Sequence, residues 1–330
     1  MSRKRSGYRS DFLVPAYASR SPLSDWPAGH GGPQPNRRRW LAACAAGGAA
    51  CVLRPHCLQA SSAELQPLEF LVVSDTHLGY GGSDRAERQW EQTSAELADA
   101  PGEVVFHLGD VVDRRREEQY AIYRKYRDRI GKPVHEVPGN HDPQPLFARH
   151  IRDPIDTVVE LHWLRFVLLG NAHTDSHDGF LEDKQIRWLD EQCRSARKSG
   201  KYVIVCMHVP AHSNRHPDRG WYVRPGHGHR RLYALLEHHA DCVLALFHGH
   251  FHNGIRGWED HGALHEICFP SALYNQNRRL EVQQAPGYNL NEFRPGFTQV
   301  AIKNGELWLR YKPVRAPVSL SRKQSLKPLS

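Results

Sequence analysis

Residues 69–77 have the sequence Glu-Phe-Leu-Val-Val-Ser-Asp-Thr-His, in which an apolar run ends in polar side chains. The run from Glu69 to Ser74 is short and rich in Phe, Leu and Val, which is typical of a buried strand. Asp75 and His77 follow it directly. The pattern predicts that two side chains able to bind a metal ion lie at the carboxyl end of a strand.

The same arrangement of an apolar run followed by polar side chains recurs four times. The pairs of run and polar residues are Glu103–His107 before Asp110, Pro133–Val137 before Asn140 and His141, Lys201–Cys206 before His208, and Cys242–Phe247 before His250 and His252. Five strands are therefore expected to carry polar side chains to one site.

Helix-like stretches lie between these strands, and they span Ser83–Leu97, Arg114–Ile130, Leu181–Ser199 and His229–His239. Alternating strands and helices predict an α/β fold, in which ligands bind beyond the carboxyl ends of the strands. Further short runs lack long helices between some of them and predict a second sheet, namely Trp163–Leu169, Leu264–Phe269, Phe297–Ile302 and Glu306–Tyr311.

The polar side chains after the strands are carboxylates, an amide and imidazoles, which suit Mn²⁺, Fe and Zn²⁺. None of these short motifs contributes a cysteine, which argues against a thiolate site such as a zinc finger. The ligand types therefore predict a catalytic metal centre.

Five motifs contain these residues in a fixed order: Asp75-Thr-His77, Gly109-Asp-Val-Val-Asp113, Gly139-Asn-His-Asp142, Met207-His208 and Gly249-His-Phe-His252. Together they resemble the signature of the calcineurin-like metallophosphoesterase superfamily, over roughly residues 69–275. The resemblance implies a four-layer α/β/β/α sandwich of two mixed sheets flanked by helices.

The resemblance also implies a dinuclear centre holding two divalent ions (Mn, Fe or Zn). Asp110 would bridge the two ions. The first ion would be bound by Asp75, His77 and His252, and the second by Asn140, His208 and His250. A metal-bridging hydroxide would attack the phosphorus of a phosphate ester, with His141 as the general acid. Asp142 is expected to orient the imidazole of His141 and to favour its charged form.

Asp113 occupies the position at which purple acid phosphatases carry an iron-binding tyrosine, so a purple iron centre is not expected. We expect Asp113 to stand behind a ligand and orient it. The motifs around Asp75 and Asn140 resemble the phosphodiesterase-like branch more than purple acid phosphatases. A small-molecule phosphoester is the expected substrate, and monoesters and diesters both remain open.

A long loop is expected from Met207 to His229, after the strand that precedes His208. Loops at such positions often shape substrate pockets. Its candidate substrate contacts are His212, Arg215, His216, Arg219, Tyr222 and Arg224. The alternative, a solvated loop whose histidines have no specific role, stays open at this point.

Residues 1–63 have the order of an export leader: a basic segment, an apolar run from Trp40 to Leu53, and small residues at 61–63. Asn36-Arg-Arg-Arg-Trp-Leu41 resembles a twin-arginine signal, which predicts use of the export machinery and a periplasmic or other extracytoplasmic location. The apolar run is shorter than the roughly 20 residues of a transmembrane helix, so no membrane span is expected in the mature chain. Residues 64–312 would form the metallophosphoesterase domain, and 313–330 a disordered basic tail.

The leader holds most of the positive charge. Residues 1–63 contain nine Lys or Arg and two Asp or Glu, so the remaining 267 residues keep only +1 of the chain's net charge of +8. Nucleic-acid binding usually requires a basic surface, so an exported nuclease is a less favoured alternative. A noncatalytic, metal-stabilised binding protein of the cell envelope is the other alternative.

Overall fold

The computed structural model describes residues 65–82, 84–212, 221–252, 257–261, 264–275, 293–318 and 320–326. The predicted leader lies outside these residues. The strands are β1 Leu68–Val73, β2 Val105–His107, β3 Val134–Glu136, β4 Thr157–Leu161, β5 Leu164–Leu168, β6 Tyr202–Cys206, β7 Val243–His248, β8 Gly257–His261, β9 Leu264–Cys268, β10 Gly296–Lys303, β11 Glu306–Pro313 and β12 Leu320–Ser325. The helices are α1 Arg85–Asp99, α2 Glu117–Arg127, α3 Gln144–His150, α4 Asp183–Lys198 and α5 His229–His238.

Two mixed sheets form the centre of the fold. The first has the order β12-β11-β10-β1-β2-β3, in which β1, β2 and β3 are parallel and the other neighbours are antiparallel. The second has the order β4-β5-β6-β7-β9-β8, in which β5, β6, β7 and β9 are parallel and the two edge strands are antiparallel. The predicted two-sheet α/β architecture is confirmed.

The two sheets pack face to face through aromatic side chains. Phe70 and Phe106 of the first sheet meet Phe166 of the second, with ring centroids 5.0 and 4.0 Å from Phe166. Phe247 of β7 belongs to the same cluster. The alternate residues of β1, such as Leu71, face the helices instead. Both faces of β1 are therefore buried, which explains its uninterrupted apolar sequence.

Helices cover the outer face of each sheet. Trp90 and Leu97 of α1 pack with Tyr120 and Tyr123 of α2 against the first sheet, and α4 and α5 cover the second. The buried positions of α1 recur at helical spacing, as an amphipathic helix requires. The helices complete the order of layers α/β/β/α.

Three details of the predicted organisation are wrong. The strands that precede the metal-binding motifs divide between the sheets, with β1, β2 and β3 in the first and β6 and β7 in the second. Two of the runs assigned to a second sheet, β10 and β11, instead extend the first, because β10 pairs with β1 in the register Leu68↔Ile302. The sequence patterns also gave no indication of α3, β4 and β8.

The predicted disordered tail is a further error, because residues 320–325 form β12. This strand pairs with β11 through backbone hydrogen bonds, in a register from Glu306↔Ser325 to Tyr311↔Leu320. Backbone pairing needs no apolar side chains, and Leu326 is buried directly after the strand. The polar composition of the tail concealed both features.

The side chains of Cys193, Cys206, Cys242 and Cys268 are buried. Among the described residues, no helix has both the length and the apolar character needed to cross a membrane.

Candidate metal centre

The carboxyl ends of parallel strands from both sheets meet at one edge of the sandwich. Asp75 and His77 follow β1, Asp110 follows β2, and Asn140 follows β3. From the second sheet, the site receives the side chains that follow β6 and β7, namely His208, His250 and His252. All seven side chains are buried. Because water is excluded there, their charges interact strongly.

The backbone at this edge is held in an unfavourable conformation. Five of the seven residues have φ between 45° and 75°, the left-handed region that residues other than glycine rarely adopt. They are Asp75, His77, Asp110, His250 and His252. Backbone hydrogen bonds between the first two motifs maintain this conformation, with Asp75 N donating to Gly109 O and His77 N to Asp110 O, both at 2.9 Å. Strain of this kind is concentrated at functional sites in proteins.

Two motif glycines allow the loops to approach each other closely. A Cβ atom on Gly139 would lie 2.1 Å from Asp110 Oδ1, and one on Gly109 would lie 2.5 Å from His208 Nδ1. Gly109 also has a φ of +94°. No side chain fits at either position without displacing Asp110 or His208.

Asp75, His77, Asp110 and His252 form the first group of potential ligands. His252 Nε2 lies 3.0 Å from Asp75 Oδ1 and 3.1 Å from His77 Nε2. His77 Nε2 lies 3.5 Å from Asp110 Oδ2. These four side chains are the ones that the sequence motifs assign to the first ion, with Asp110 as the shared member.

The hydrogen bonds of the two imidazoles test whether this group fits a metal ion. His252 Nδ1 donates to Tyr274 O at 2.9 Å, and His77 Nδ1 lies 3.3 Å from Asp113 Oδ1. The two Nε2 atoms form a hydrogen bond where one ring carries a proton on Nε2; where each ring carries its proton on Nδ1, the two lone pairs face each other, and a cation between them removes the repulsion. Two carboxylates complete the group, so its charge and donor types fit a divalent metal ion.

Asp110, His208 and His250 form the second group. His208 Nε2 lies 3.2 Å from Asp110 Oδ2 and 3.1 Å from His250 Nδ1. His208 Nδ1 donates to Leu108 O at 2.7 Å, which leaves Nε2 as its ligand atom. Asp110 belongs to both groups, so its carboxylate is common to the two sets of potential ligands.

The side-chain oxygen of Asn140 has the environment expected of a metal ligand. Its Oδ1 is buried and accepts no hydrogen bond from the described residues. Its amide Nδ2 lies 3.3 Å from His177 Nδ1 and donates to it. A buried carbonyl oxygen without a partner is costly, and coordination of a cation would satisfy it.

Buried charges determine the protonation of the site. Burial alone would raise the pKa of Asp110, but His208 and His77 hold that pKa well below its ordinary value. Burial opposes protonation of His208, yet Asp110 raises the pKa of this imidazole to about 9. Burial and the neighbouring His208 lower the pKa of His250 well below its ordinary value. The Asp110 carboxylate is therefore ionised at neutral pH, as metal binding requires.

His141 is less buried than the ligand residues, with 30% of its side chain exposed. Its Nδ1 donates to the backbone oxygen of Asp113 at 2.8 Å, which leaves Nε2 to exchange a proton. Asp113 Oδ1 lies 3.3 Å from His77 Nδ1 and 3.6 Å from His141 Nδ1. Asp113 therefore lies beside His77, a candidate ligand, and beside His141 as well.

Asp142 does not orient His141, which corrects the expected role. Its carboxylate accepts the backbone N–H groups of Val111, Val112 and Gly139 at 2.8–3.1 Å, and the hydroxyl of Tyr120 at 3.1 Å. Burial and the Asp110 carboxylate raise the pKa of Asp142 to about 6. Asp142 ties the third motif to the second, because four donors converge on a buried acceptor.

Two histidines that the sequence analysis missed support the ligand loops. His177 holds the amide of Asn140. His107 accepts from Gly109 N through Nδ1, and its Nε2 donates to Thr76 Oγ1 at 3.1 Å. Thr76 in turn donates to Val111 O at 2.9 Å. Neither histidine lies within a motif, so no local pattern distinguishes them.

The predicted substrate loop is only partly described, since Arg215, His216 and Arg219 lie outside the described residues. His212 lies beside His248, with ring centroids 5.2 Å apart, and belongs to neither ligand group. Tyr222 packs under Arg224, whose guanidinium is 4.6 Å from the Tyr222 ring centroid and pairs with Asp178.

Known proteins share the fold and part of the sequence. A family model described as calcineurin-like phosphoesterase matches residues 68–254. The chain is 29% identical over 169 residues to a glycerophosphodiester phosphodiesterase GpdQ from Enterobacter lignolyticus, an alignment that covers 48% of this chain and 58% of that protein. It is 27% identical over 209 residues to a 3',5'-cyclic adenosine monophosphate phosphodiesterase CpdA from Haemophilus influenzae, covering 58% and 73%. The first alignment thus spans little more than half of its relative's length.

A solved structure of a dimetal phosphatase from Danio rerio superimposes with a TM-score of 0.60 at 15% identity, over 78% of this chain and 99% of that one. At this identity the superposition shows a shared fold.

Proposed function

The chain belongs to the calcineurin-like phosphoesterase family, and from that membership we propose that it hydrolyses a small phosphodiester with two divalent metal ions. One observation carries the proposal most directly. Asp110 lies in both groups of buried ligands, 3.5 Å from a nitrogen of His77 and 3.2 Å from a nitrogen of His208. A carboxylate shared in this way suits a pair of ions held close together.

Bound metal ions would neutralise phosphate oxygens and lower the pKa of water, so that a hydroxide nucleophile is available near neutral pH. The protein would hold the first ion with Asp75, His77, Asp110 and His252. It would hold the second with Asp110, Asn140, His208 and His250. The strained loops keep these donors in place, and the glycines at 109 and 139 allow the loops to approach each other closely.

We assign proton transfer to the leaving oxygen to His141. The hydrogen bond to Asp113 O fixes the ring through Nδ1, so the proton would be given up from Nε2. The partial exposure of the side chain leaves it accessible to a substrate. Such general acid catalysis contributes roughly 10²- to 10⁴-fold to a rate.

We favour a diester substrate because the matching relatives are phosphodiesterases of glycerophosphodiesters and of a cyclic nucleotide. Motif residues bind the phosphate, whereas specificity depends on surrounding loops. We also propose that the enzyme acts outside the cytoplasm, on the evidence of the leader motif. Replacing Arg37 and Arg38 together by lysine should retain the protein in the cytoplasm on fractionation, whereas Arg54→Lys should leave export unchanged.

The activity is tested with the full chain, stripped of metal and reloaded with Mn²⁺, Fe²⁺ or Zn²⁺. Substrates are bis(p-nitrophenyl) phosphate, p-nitrophenyl phosphate, cAMP and glycerophosphocholine. Asp110→Asn should lose the ions of the dinuclear centre and turnover together, while the exposed control Asp99→Asn should retain both. A preference for p-nitrophenyl phosphate would contradict the diester assignment.

The role of His141 is tested by varying the leaving group. His141→Ala should lower turnover by about 10²-fold or more for an alkoxide leaving group, but much less for p-nitrophenolate, which needs little protonation. Its metal content should stay that of the wild type. An equal loss on all diesters would contradict a general acid role. Stoichiometric metal without turnover on any ester would indicate a binding protein, and salt-sensitive cleavage of DNA or RNA would indicate a nuclease.

A further inference from the structure

We propose that His212, His248 and Glu266 form a third cation site, suited to Zn²⁺ or a similar divalent ion and distinct from the two ligand groups. Their potential ligand atoms all lie within 4.8 Å of one another. His248 ends β7 and Glu266 lies in β9, whereas His212 lies in the loop that follows β6. None of the three side chains contributes to the proposed dinuclear centre.

His248 has the environment of an unused ligand. Its side chain is fully buried, and neither ring nitrogen makes a hydrogen bond within the described parts of the chain. The nearest acidic oxygen, Glu266 Oε1, lies 3.4 Å from Nε2. Burying an unpaired polar atom costs about 1–3 kcal/mol. A cation bound between His248 and Glu266 would satisfy the Nε2 atom, which makes no hydrogen bond there.

Glu266 supplies a buried negative charge. Its carboxylate accepts Ala211 N and His212 N at 2.9 Å and the Tyr233 hydroxyl at 2.6 Å. A carboxylate offers about four lone-pair sites; the two backbone donors occupy Oε1 and the hydroxyl occupies one site of Oε2, so the lone pair left for a cation is on Oε2. Within the described residues, the ion pairs of Glu266 include no Lys or Arg, only the imidazole of His248. A buried anion needs a cationic partner, and a metal ion can supply that charge.

The ring of His212 completes the site. Its centroid is 5.2 Å from that of His248, and its backbone is already fixed by Glu266. Two imidazoles and one carboxylate are a donor set that Zn²⁺ binds in proteins, with a water molecule in the fourth position. Because His212 lies in a loop and the other two ligands lie in the sheet, a bound ion would tie this loop to β7 and β9.

The site is tested by counting metal ions. The full chain is stripped of metal and equilibrated with Zn²⁺ alone, and bound Zn²⁺ per chain is measured. The wild type should bind one more ion than either His212→Asn or His248→Leu. The exposed control His238→Asn should match the wild type. Loss of a ligand should weaken binding of the third ion by about 100-fold or more, since even residues behind ligands contribute 10- to 100-fold.

A second measurement separates this site from the dinuclear centre. In the Asp110→Asn background, Zn²⁺ should still raise the melting temperature, because ligands that bind only the folded state stabilise it. Adding His212→Asn to that background should abolish the shift. If the wild type binds no more Zn²⁺ than His212→Asn, the proposal is overturned, and His248 and Glu266 form only a polar pair. His212→Asn tests the proposal even if His248→Leu fails to fold. Glu266 accepts the backbone N–H of residue 212, and this hydrogen bond does not depend on the side chain.

Discussion

The buried histidine beneath the ligand loops should make the stability of the protein depend on pH. Burial lowers the pKa of His107 from 6.5 to about 3 in the folded protein. Its Nδ1 accepts from Gly109 N and its Nε2 donates to Thr76, so the neutral ring is the form that the structure requires. The unfolded imidazole takes up a proton first as the pH falls, and the unfolded state is then favoured.

The size of this effect follows from the two pKa values. One pKa unit corresponds to about 1.4 kcal/mol, so the contribution of His107 is fully present above pH 7 and falls by about 2 kcal/mol between pH 8 and pH 5. The loss continues until the pH passes below about 3. His107→Gln keeps an amide N–H for Thr76 but has no group that titrates in this range. Its stability should therefore depend less on pH, by about 2 kcal/mol over the same interval.

The measurement is urea unfolding of the metal-free wild type and His107→Gln at several pH values from 5 to 8. Other buried imidazoles and carboxylates titrate in both proteins, so the difference between the two curves isolates His107. The variant should be less stable at pH 8, because Gly109 N loses its acceptor. Parallel stability curves for the two proteins would refute the reasoning, since they would mean that His107 gains no proton on unfolding.

Two further substitutions test the loops and the core. Gly139→Ala places a Cβ 2.1 Å from Asp110 Oδ1 and should lower metal occupancy and reduce turnover about 10²-fold, as small displacements of reacting groups do. Gly226→Ala, where a Cβ meets nothing within 4 Å, should leave both unchanged; similar losses in the two variants would contradict the steric argument. Phe106→Ala should reduce the free energy of unfolding by about 3–5 kcal/mol in urea, because its ring stacks on Phe166 between the sheets. Leu65→Ala, at an exposed position, should change that free energy by less than about 0.5 kcal/mol, and an equal effect there would argue against the core assignment.

Local sequence was sufficient for the strands that carry the site. The apolar run of β1 and the polar residues after it are adjacent in the chain, so their relation is visible without a fold. The same holds for the strands before Asp110, Asn140, His208 and His250. Short-range patterns reveal burial and strand ends because both depend on neighbouring side chains. The α/β class and the five motifs were therefore predictable.

Long-range pairing was not predictable in the same way. Nothing within β10 or β12 specifies its partner, because backbone hydrogen bonds are alike along every strand. The assignment of β10 to the first sheet depends on its register with β1, which lies more than 200 residues earlier in the chain. The polar sequence of β12 likewise gave no indication of a strand.

The roles of the site residues also divide into those set by local sequence and those set by long-range contacts. The sequence by itself determined which residue types follow each strand, because a ligand's identity and its position in the chain are local properties. Only the tertiary structure decided what each side chain contacts: Asp142 bonds to the second motif, Asp113 lies beside His141, and His107 and His177 support loops remote from them in sequence. Hydrogen bonds are formed by atoms within about 3 Å, and the fold alone sets those distances.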